Sequence, residues 1–345
     1  MKIINLFLIG VVWNLPALSQ DIAGFQLIEQ KQKKQIDILY NGQLLTTYNY
    51  EDSLKKPVLF PVNTVDGITI TRGWPIQPRA GERTDHPHHT GMWLNYESVN
   101  GLDFWNNSTA IAPGKGNQYG SIRHDQLVEQ KASKDSAVLV VSASWLNNGG
   151  DVLLKEHTNY VFTVRDQLFF IERKTRLTAT KEKVIFKDVK DGFFAIRVAR
   201  ELEMPSTQED VFTDSQGNKT AVSKMINNQG VTGNYISSEG IKDDDVWGTK
   251  GRWTMLTGKK DGQEITIGIL DHPSNIGYPS YWHARGYGLF AINPLGKKVF
   301  SNGKEQLNLT LDIHEEVTFR YKVIIASGKN LTNEEMDSLA DKFNK

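Results

Sequence analysis

The residues best suited to chemistry are concentrated in one segment of the chain, Thr71–Trp105. This segment holds three of the eight histidines, together with three arginines and three tryptophans. Its prolines and glycines prevent a continuous helix, and arginines and clustered imidazoles are costly to bury unpaired. A long polar and aromatic loop of this kind is typical of a binding or reaction site held on a rigid scaffold.

The sharpest pattern in the segment is the run Asp85-His86-Pro87-His88-His89. Because Pro87 biases the preceding residue toward an extended backbone, we expect His86 and His88 to project to one side and His89 to the other. His86 and His88 could share a divalent metal at this three-histidine cluster, with Asp85 either as a ligand or as an acceptor that hydrogen-bonds a ligating histidine. Alternatively, the imidazoles could act as acid and base on a substrate, or the run could be hydrogen-bonded scaffolding.

A second constellation lies far downstream. It begins with Asp-His-Pro-Ser-Asn at positions 271–275 and continues with Tyr-Trp-His-Ala-Arg at positions 281–285. It repeats the Asp-His-Pro triplet and again places histidine beside tryptophan and arginine. Each triplet falls at a break in the strand pattern, so we expect both to lie on loops at one edge of the fold and to line a shared pocket.

The mixture of aromatic, arginine and histidine side chains is suited to carbohydrate, because aromatic faces stack on sugar rings and charged groups bind hydroxyls or a carboxylate. The candidate catalytic residues are His86, His88, His89, His283, Asp85 and Asp271. The candidate substrate-binding residues are Arg72, Arg83, Trp93, His272, Trp282, Arg285, Asn275 and Arg197. The turn at 188–193, Asp-Val-Lys-Asp-Gly-Phe, is interpreted only as the entry to a strand that carries Arg197.

The composition excludes several classes of partner. Lys plus Arg and Asp plus Glu both number 40, so the chain lacks the basic excess that nucleic-acid binding requires. There is no cysteine, which excludes disulfides and thiolate chemistry. The expected partner is therefore a small molecule or an oligosaccharide.

The N-terminus predicts export. Met1-Lys2 is followed by a mostly apolar stretch and by Ala17-Leu18-Ser19, which fits a small-x-small cleavage site. We expect residues 1–19 to be a signal peptide and residues 20–345 to form a single periplasmic or secreted domain. No later stretch approaches the ~18 apolar residues of a membrane span, and no cysteine follows the signal to make a lipoprotein.

The rest of the chain predicts an all-β fold. Short segments rich in Val, Ile, Phe, Tyr and Thr alternate between polar and apolar residues, and Asn41-Gly42 marks a hairpin. A capping box at Thr332 and Glu335 predicts one helix, which runs to about Phe343. The polar stretch Met204–Asp245 is interpreted as a long excursion, a lid or a domain seam. We expect one large antiparallel β-sandwich with a short C-terminal helix.

Several motifs make the chain resemble the bacterial PmoA-like family of unknown function. They are Thr71-Arg72-Gly73, Arg83–Trp93, Asn100–Trp105, Asp191–Arg197, Gly251-Arg252-Trp253 and Asp271–Pro294. The family label implies an oxygenase. The architecture is also similar to the galactose-mutarotase-like supersandwich, which implies sugar-directed acid/base chemistry by a histidine and a carboxylate.

Three functions are compatible with these patterns. The first is an exported isomerase, lyase or hydrolase of a sugar, in which the histidines supply acid/base groups and Asp85 and Asp271 orient them or act as base. The second is an iron- or copper-dependent oxygenase with His86 and His88 as metal ligands. The third is a non-catalytic glycan-binding module.

Overall fold

Strands dominate the computed structural model, which describes residues 23–112 and 114–345. The signal peptide predicted over residues 1–19 lies outside these ranges. The strands are β1 (Phe25–Gln30), β2 (Gln35–Tyr40), β3 (Gln43–Asn49), β4 (Val58–Val62), β5 (Met92–Tyr96), β6 (Ser121–Ala132), β7 (Ser136–Leu146), β8 (Val152–Arg165), β9 (Leu168–Ala179), β10 (Val184–Phe186), β11 (Gly192–Arg197), β12 (Asn234–Ser237), β13 (Trp253–Lys260), β14 (Gln263–Asp271), β15 (Tyr281–Arg285), β16 (Leu289–Asn293), β17 (Leu309–Leu311) and β18 (Glu316–Ser327). The α-helices are α1 (Lys297–Phe300) and α2 (Asn333–Phe343).

The strands form two large antiparallel sheets of eight strands each. The first sheet has the order β1-β2-β3-β4-β5-β11-β16-β15, and the second has the order β12-β13-β14-β18-β9-β8-β7-β6. A small third sheet pairs β10 with β17. The predicted all-β class, with two stacked antiparallel sheets and a short C-terminal helix, is therefore confirmed.

Local sequence accounts for the first hairpin. Asn41 and Gly42 have φ angles of 50° and 78°, and they connect Tyr40 to Gln43, which face each other across β2 and β3. Two consecutive positive φ angles match the twist of antiparallel strands, and Asn-Gly is the pair that adopts them most readily. The predicted hairpin is confirmed.

The two sheets pack through their alternating apolar faces. On β8, Thr158, Tyr160 and Phe162 are buried and the residues between them are only half-buried, as the alternation predicts. Across the interface the rings of Phe194 and Tyr321 stack with centroids 5.0 Å apart. Removal of this apolar surface from water is the main stabilising contribution to the sandwich.

The outer face of the second sheet is covered by α2. Thr332 accepts a hydrogen bond from the Glu335 backbone N–H, and the Glu335 side chain accepts one from the Thr332 N–H, which confirms the predicted capping box. The helix buries Met336 and Phe343 against this face. No helix in the described ranges is long and apolar enough to cross a membrane.

The outer face of the first sheet is where the site is built. Trp93, Ala195, Ala291 and His283 are paired in register across β5, β11, β16 and β15, so their side chains form one row on the same face. The two central residues are alanines, which leave space above the middle of the row. The histidine-bearing loop that precedes β5 lies over this face.

Candidate functional site

The Asp85–His89 run forms a tight turn. The backbone N–H of His89 donates to the carbonyl of His86 at 2.9 Å, and His86 has a φ of 43°. The prediction of an extended backbone at His86 is wrong. The hydrogen bond between His89 and His86 closes a turn around Pro87, and within this turn His86 adopts a left-handed conformation. Consequently the rings of His86 and His89 lie parallel, 4.7 Å apart between centroids, instead of on opposite sides.

The Asp85 carboxylate is the centre of the turn. Its Oδ1 accepts hydrogen bonds from Arg72 and Arg197, each at 2.6 Å, and its Oδ2 contacts Nδ1 of His86, also at 2.6 Å. Burial alone would raise the pKa of Asp85, but the charge of Arg197 and the hydrogen bond with His86 hold it well below its usual range. Asp85 is therefore an anion that fixes the orientation of His86.

Arg72 holds the backbone of the loop. Its guanidinium donates to the carbonyl oxygens of Arg83 (3.2 Å), Asp85 (3.0 Å), His86 (3.0 Å) and His89 (3.0 Å), and its side chain is fully buried. These bonds satisfy four carbonyls of an irregular segment that would otherwise be costly to bury. The structure thus corrects the predicted role of Arg72 from substrate contact to support of the loop.

Arg83 and Arg197 are also committed to the protein interior. Nε of Arg83 donates to Glu203 at 2.7 Å and its NH1 contacts Asp210 at 2.5 Å, which ties the loop to the long segment after β11. Arg197 contacts Asp85 and donates from NH1 to Nδ1 of His89 at 3.2 Å. Both arginines are at most 3% exposed, so the prediction that they bind substrate is corrected in the same way.

His89 and His88 are buried and neutral. Since a guanidinium only donates, Nδ1 of His89 accepts from Arg197 and its ring proton is inferred to lie on Nε2. Burial, followed by the neighbouring His88, holds the pKa of His89 well below its usual range; for His88 the causes are burial and then Lys56. His89 stacks on Trp93 at 5.4 Å and contacts Trp105 edge-on. These contacts make His89 and Trp93 the packed floor of the site.

His86 is the exposed imidazole of the cluster, with 41% of its side chain accessible. Its ring is parallel to that of Tyr287, with centroids 5.0 Å apart. The guanidiniums of Arg197 and Arg285 both lie near the Tyr287 ring, 4.9 Å and 5.8 Å from its centroid. Tyr287 is a site residue that the predicted set omitted, although the sequence places it two residues after Arg285.

His283 and Asp191 form the opposite wall. Nδ1 of His283 lies 3.8 Å from Oδ1 of Asp191. Burial, followed by the charge of Lys190, lowers the pKa of His283 to about 3, whereas burial raises the pKa of Asp191. His283 stands in the same row as Trp93, on which His89 stacks, so the histidine turn and β15 meet on one face of the first sheet.

Two further carboxylates lie near Asp191. The backbone N–H of Asp191 donates to Oε2 of Glu97 at 3.2 Å. Burial and then the charge of Asp191 raise the pKa of Glu97, and burial raises that of Asp103. The predicted site residues include none of these three acids: Asp191 is assigned only to the turn that enters β11, and Glu97 and Asp103 are given no role. Their position before or after buried strands was the signal available.

The second Asp-His-Pro triplet does not join this site. Asp271 is 1% exposed and accepts hydrogen bonds from Asn275 and from the backbone N–H of Ser280. His272 contacts Arg320 and the ring of Phe343, which belongs to α2 on the outer face of the second sheet. The prediction of a pocket shared by both triplets is therefore wrong for this part of the second constellation.

These contacts also give Asn275 a structural role. Its side-chain amide donates to the carbonyl of Arg320 at 2.8 Å and its Oδ1 accepts from the Arg320 N–H, so it docks the turn against β18. Trp282 is fully buried in the core between the sheets, where it packs against Phe290. Its predicted contact with substrate is corrected, because its neighbours His283 and Tyr281 face outward and Trp282 therefore faces inward.

The donor geometry does not fit the predicted metal shared by His86 and His88. The bond between Nδ1 of His86 and Asp85 leaves Nε2 as the one nitrogen of this ring that could bind a metal, and the rings of His86 and His88 meet edge-on at 80° with centroids 5.6 Å apart. Within residues 23–112 and 114–345, no group of three or more His, Cys, Asp or Glu side chains is arranged to hold a metal ion.

Comparison with solved structures finds carbohydrate-related neighbours. The α-galactosidase of Lactobacillus brevis aligns with a TM-score of 0.40 and 10% identity over 88% of this chain and 39% of that chain. The galactosidase domain of an α-galactosidase-sucrose kinase aligns with a TM-score of 0.39 and 12% identity, over 88% of this chain and 41% of that chain. This chain thus spans about two fifths of both galactosidase structures. A galactose mutarotase related enzyme from Lactobacillus acidophilus aligns with a TM-score of 0.28 and 10% identity, over 89% of this chain and 98% of that chain.

Sequence comparison identifies the family. No curated protein matches the chain. One family model matches residues 35–341, and its description carries no methane-oxygenase designation, so the PmoA-like label has no support from it. Since this match covers most of the sequence, the chain belongs to a family of unknown function, DUF6807.

Proposed function

We propose that this protein is an acid/base catalyst that acts on a sugar or sugar derivative, with His86 as the residue that exchanges a proton with the substrate. The observation that carries the proposal is the Asp85–His86 pair. Oδ2 of the ionised Asp85 accepts the Nδ1 proton of His86 at 2.6 Å, so the lone pair of the ring lies on Nε2. The partly exposed ring is thereby oriented as a general base.

Asp191 supplies the complementary acid. Burial raises its pKa against the opposing charge of Lys190, whose Nζ lies 3.4 Å from Oδ1, and a raised pKa favours the protonated carboxyl that can donate to a substrate oxygen. A base and an acid on the same face suffice for isomerisation of a sugar, because that reaction needs no further nucleophile. Lyase or hydrolytic chemistry by the same pair would require a leaving group beside Asp191.

The border of the site is suited to a sugar ring. Tyr287 and Trp247 are both half-buried, and the guanidinium of Arg285 lies 5.8 Å and 5.7 Å from their ring centroids. Aromatic faces pack on the C–H face of a pyranose, and a guanidinium donates to its hydroxyls. The proposal includes export, which is supported by the apolar N-terminal segment that ends in Ala17-Leu18-Ser19.

The test uses two matched variants. His86 and His314 are both exposed and both have positive φ (43° and 68°), a conformation that asparagine tolerates. A panel of monosaccharides and uronic acids is incubated with the purified protein in heavy water, and anomer exchange and C–H exchange are followed by NMR. We expect His86→Asn to lower turnover about 10²- to 10⁴-fold and His314→Asn to leave it unchanged.

Two outcomes would contradict the proposal. One is a His86→Asn variant that turns over the substrate at the wild-type rate. The other is sugar retention without any exchange by the wild-type protein, which would favour the non-catalytic glycan-binding module.

A further inference from the structure

A cleft of about 270 Å³ opens beside the histidine turn, which contributes Pro87 and His88 to its lining. It is also lined by residue 51, by residues 53–56, by Pro75 and Ile76, and by residues 107–109. Its volume is close to the lower end of small-molecule pockets, roughly 300 Å³. None of its lining residues except His88 belongs to the predicted site, and the acid/base mechanism uses none of them.

The floor of the cleft carries an ammonium group without a carboxylate partner. Lys56 is 4% exposed, and its Nζ donates to the carbonyl of His88 at 2.7 Å and lies 5.2 Å from the ring centroid of Trp93. Within the described ranges no carboxylate lies within ion-pair distance of Lys56. A lysine ammonium has three N–H donors, so two remain after the bond to His88.

Neutral polar groups line the same cleft as the ammonium. Thr90 and Ser108 line the cleft and are each 7% exposed, and the Ser108 hydroxyl oxygen accepts only from the Ala110 N–H, which leaves its proton free to donate. His88 also lines the cleft, and its buried Nε2 has no hydrogen-bond partner. Buried polar groups of this kind are costly unless a ligand or water completes their hydrogen bonds.

We infer that this cleft binds a carboxylate of the substrate, with Lys56 as its counter-ion and the Thr90 and Ser108 hydroxyls as further donors. The inference rests on the proposed function and makes the substrate class an acidic sugar such as a uronate. A single buried ammonium matches the single charge of a carboxylate. His88 lines the cleft and its ring centroid lies 5.6 Å from that of His86, so the proposed carboxylate site and the proposed base are neighbours at a distance that a monosaccharide can span.

Binding of a carboxylate beside Lys56 should change the number of protons that the protein binds, and this change can be measured. Burial lowers the pKa of Lys56 to about 7, while the negative charge of Asp103 opposes this shift. Glu51 and Lys55 also line the cleft; the Glu51 carboxylate is engaged by Gln35 at 2.9 Å. A bound carboxylate would favour the charged amine, so just above neutral pH the protein should take up protons as the ligand binds.

The experiment compares D-galacturonate with D-galactose, which differ only in the carboxylate at C6. Calorimetric titrations of the full chain are run just above neutral pH in buffers of different ionisation enthalpy. We expect galacturonate to bind about thirtyfold or more tightly than galactose, with proton uptake, and Lys56→Met to abolish both the preference and the uptake. Ser108→Ala, which leaves the ammonium in place, should weaken galacturonate binding severalfold while keeping the proton uptake.

The results separate this inference from the proposed function. His86→Asn should lose turnover and keep the galacturonate preference. Equal affinities for the two sugars, no binding of galacturonate by the wild-type protein, or an unchanged preference in folded Lys56→Met would each overturn the inference. Should Lys56→Met not fold, an unchanged affinity in Ser108→Ala together with the absence of proton uptake by the wild type would overturn it. Turnover of neutral sugars in any of these cases would leave the acid/base proposal standing.

Discussion

The ring of Tyr287 lies parallel to the imidazole of His86, with an interplanar angle of 7° and centroids 5.0 Å apart. This contact joins the turn before β5 to the segment after β15, which are adjacent neither in sequence nor in the strand order of the first sheet. It packs against a face of the His86 ring, whose edge is held by Asp85 through Nδ1. The orientation of the proposed base therefore depends on both segments.

Tyr287→Leu should reduce turnover about tenfold, because a freed imidazole spends less time in the reactive orientation. Tyr287→Phe keeps the ring and should remain within about twofold of the wild type. Turnover of the identified substrate measures the rate, and the imidazole nitrogen shifts of His86 measure its tautomer. Equal rates for the leucine and phenylalanine variants would show that the stacking does not position His86.

Asp85→Asn should destabilise the fold by about 3–5 kcal/mol, since it leaves the buried charges of Arg72 and Arg197 without their shared anion. Asp52→Asn is the control, because Asp52 pairs with Lys34 on the surface and its removal should have no measurable effect. Urea denaturation gives both free energies of unfolding. A stability of Asp85→Asn equal to that of the control would mean that the two guanidiniums do not depend on this carboxylate.

The pattern of strands, the first hairpin and the capping box of α2 follow from local sequence, and these parts could be predicted. The conformation of His86 could not, because it depends on a turn whose carbonyls are held by the buried guanidinium of Arg72, a residue outside the turn. Residue spacing alone therefore predicts that His86 and His88 share one side of the chain, whereas in the structure His86 stacks on His89.

The grouping of distant segments depends on which sheet each strand joins, and no local pattern encodes that choice. Asp271 ends β14 in the second sheet, whereas His283 lies in β15 in the first sheet. Only a short connection separates them, yet it crosses from one sheet to the other. For this reason His283 and Arg285 lie in the sheet that carries the histidine turn, whereas Asp271 and His272 do not.

Acidification should destabilise the protein through His283. Its pKa is lowered to about 3 in the folded state by burial and by Lys190 and Arg285, with Asp191 at 3.8 Å as the facing carboxylate. The unfolded chain binds this proton more readily, so the stability contributed by the neutral ring is present near neutral pH and is lost as the pH falls from about 6.5 toward 3.

The variant His283→Asn has no proton to bind and should lose less stability than the wild type between about pH 7 and about pH 4. His314→Asn, which alters an exposed histidine, should follow the wild-type curve. Urea midpoints across this range provide the measurement. Parallel curves for His283→Asn and the wild type would contradict the lowered pKa.

Substitutions in the capping box of α2 should change the stability of the protein without affecting the candidate site. Oγ1 of Thr332 accepts from the Glu335 N–H at 3.2 Å, and Thr332→Ala removes this bond, which should cost about 1 kcal/mol. Thr332→Ser keeps the acceptor and should lose only a small part of that stability. Because α2 covers the outer face of the second sheet, the turnover of both variants at a temperature where they are folded should equal that of the wild type. A loss of turnover in folded Thr332→Ala would show that the two outer faces of the sandwich are coupled, which no contact described between them predicts.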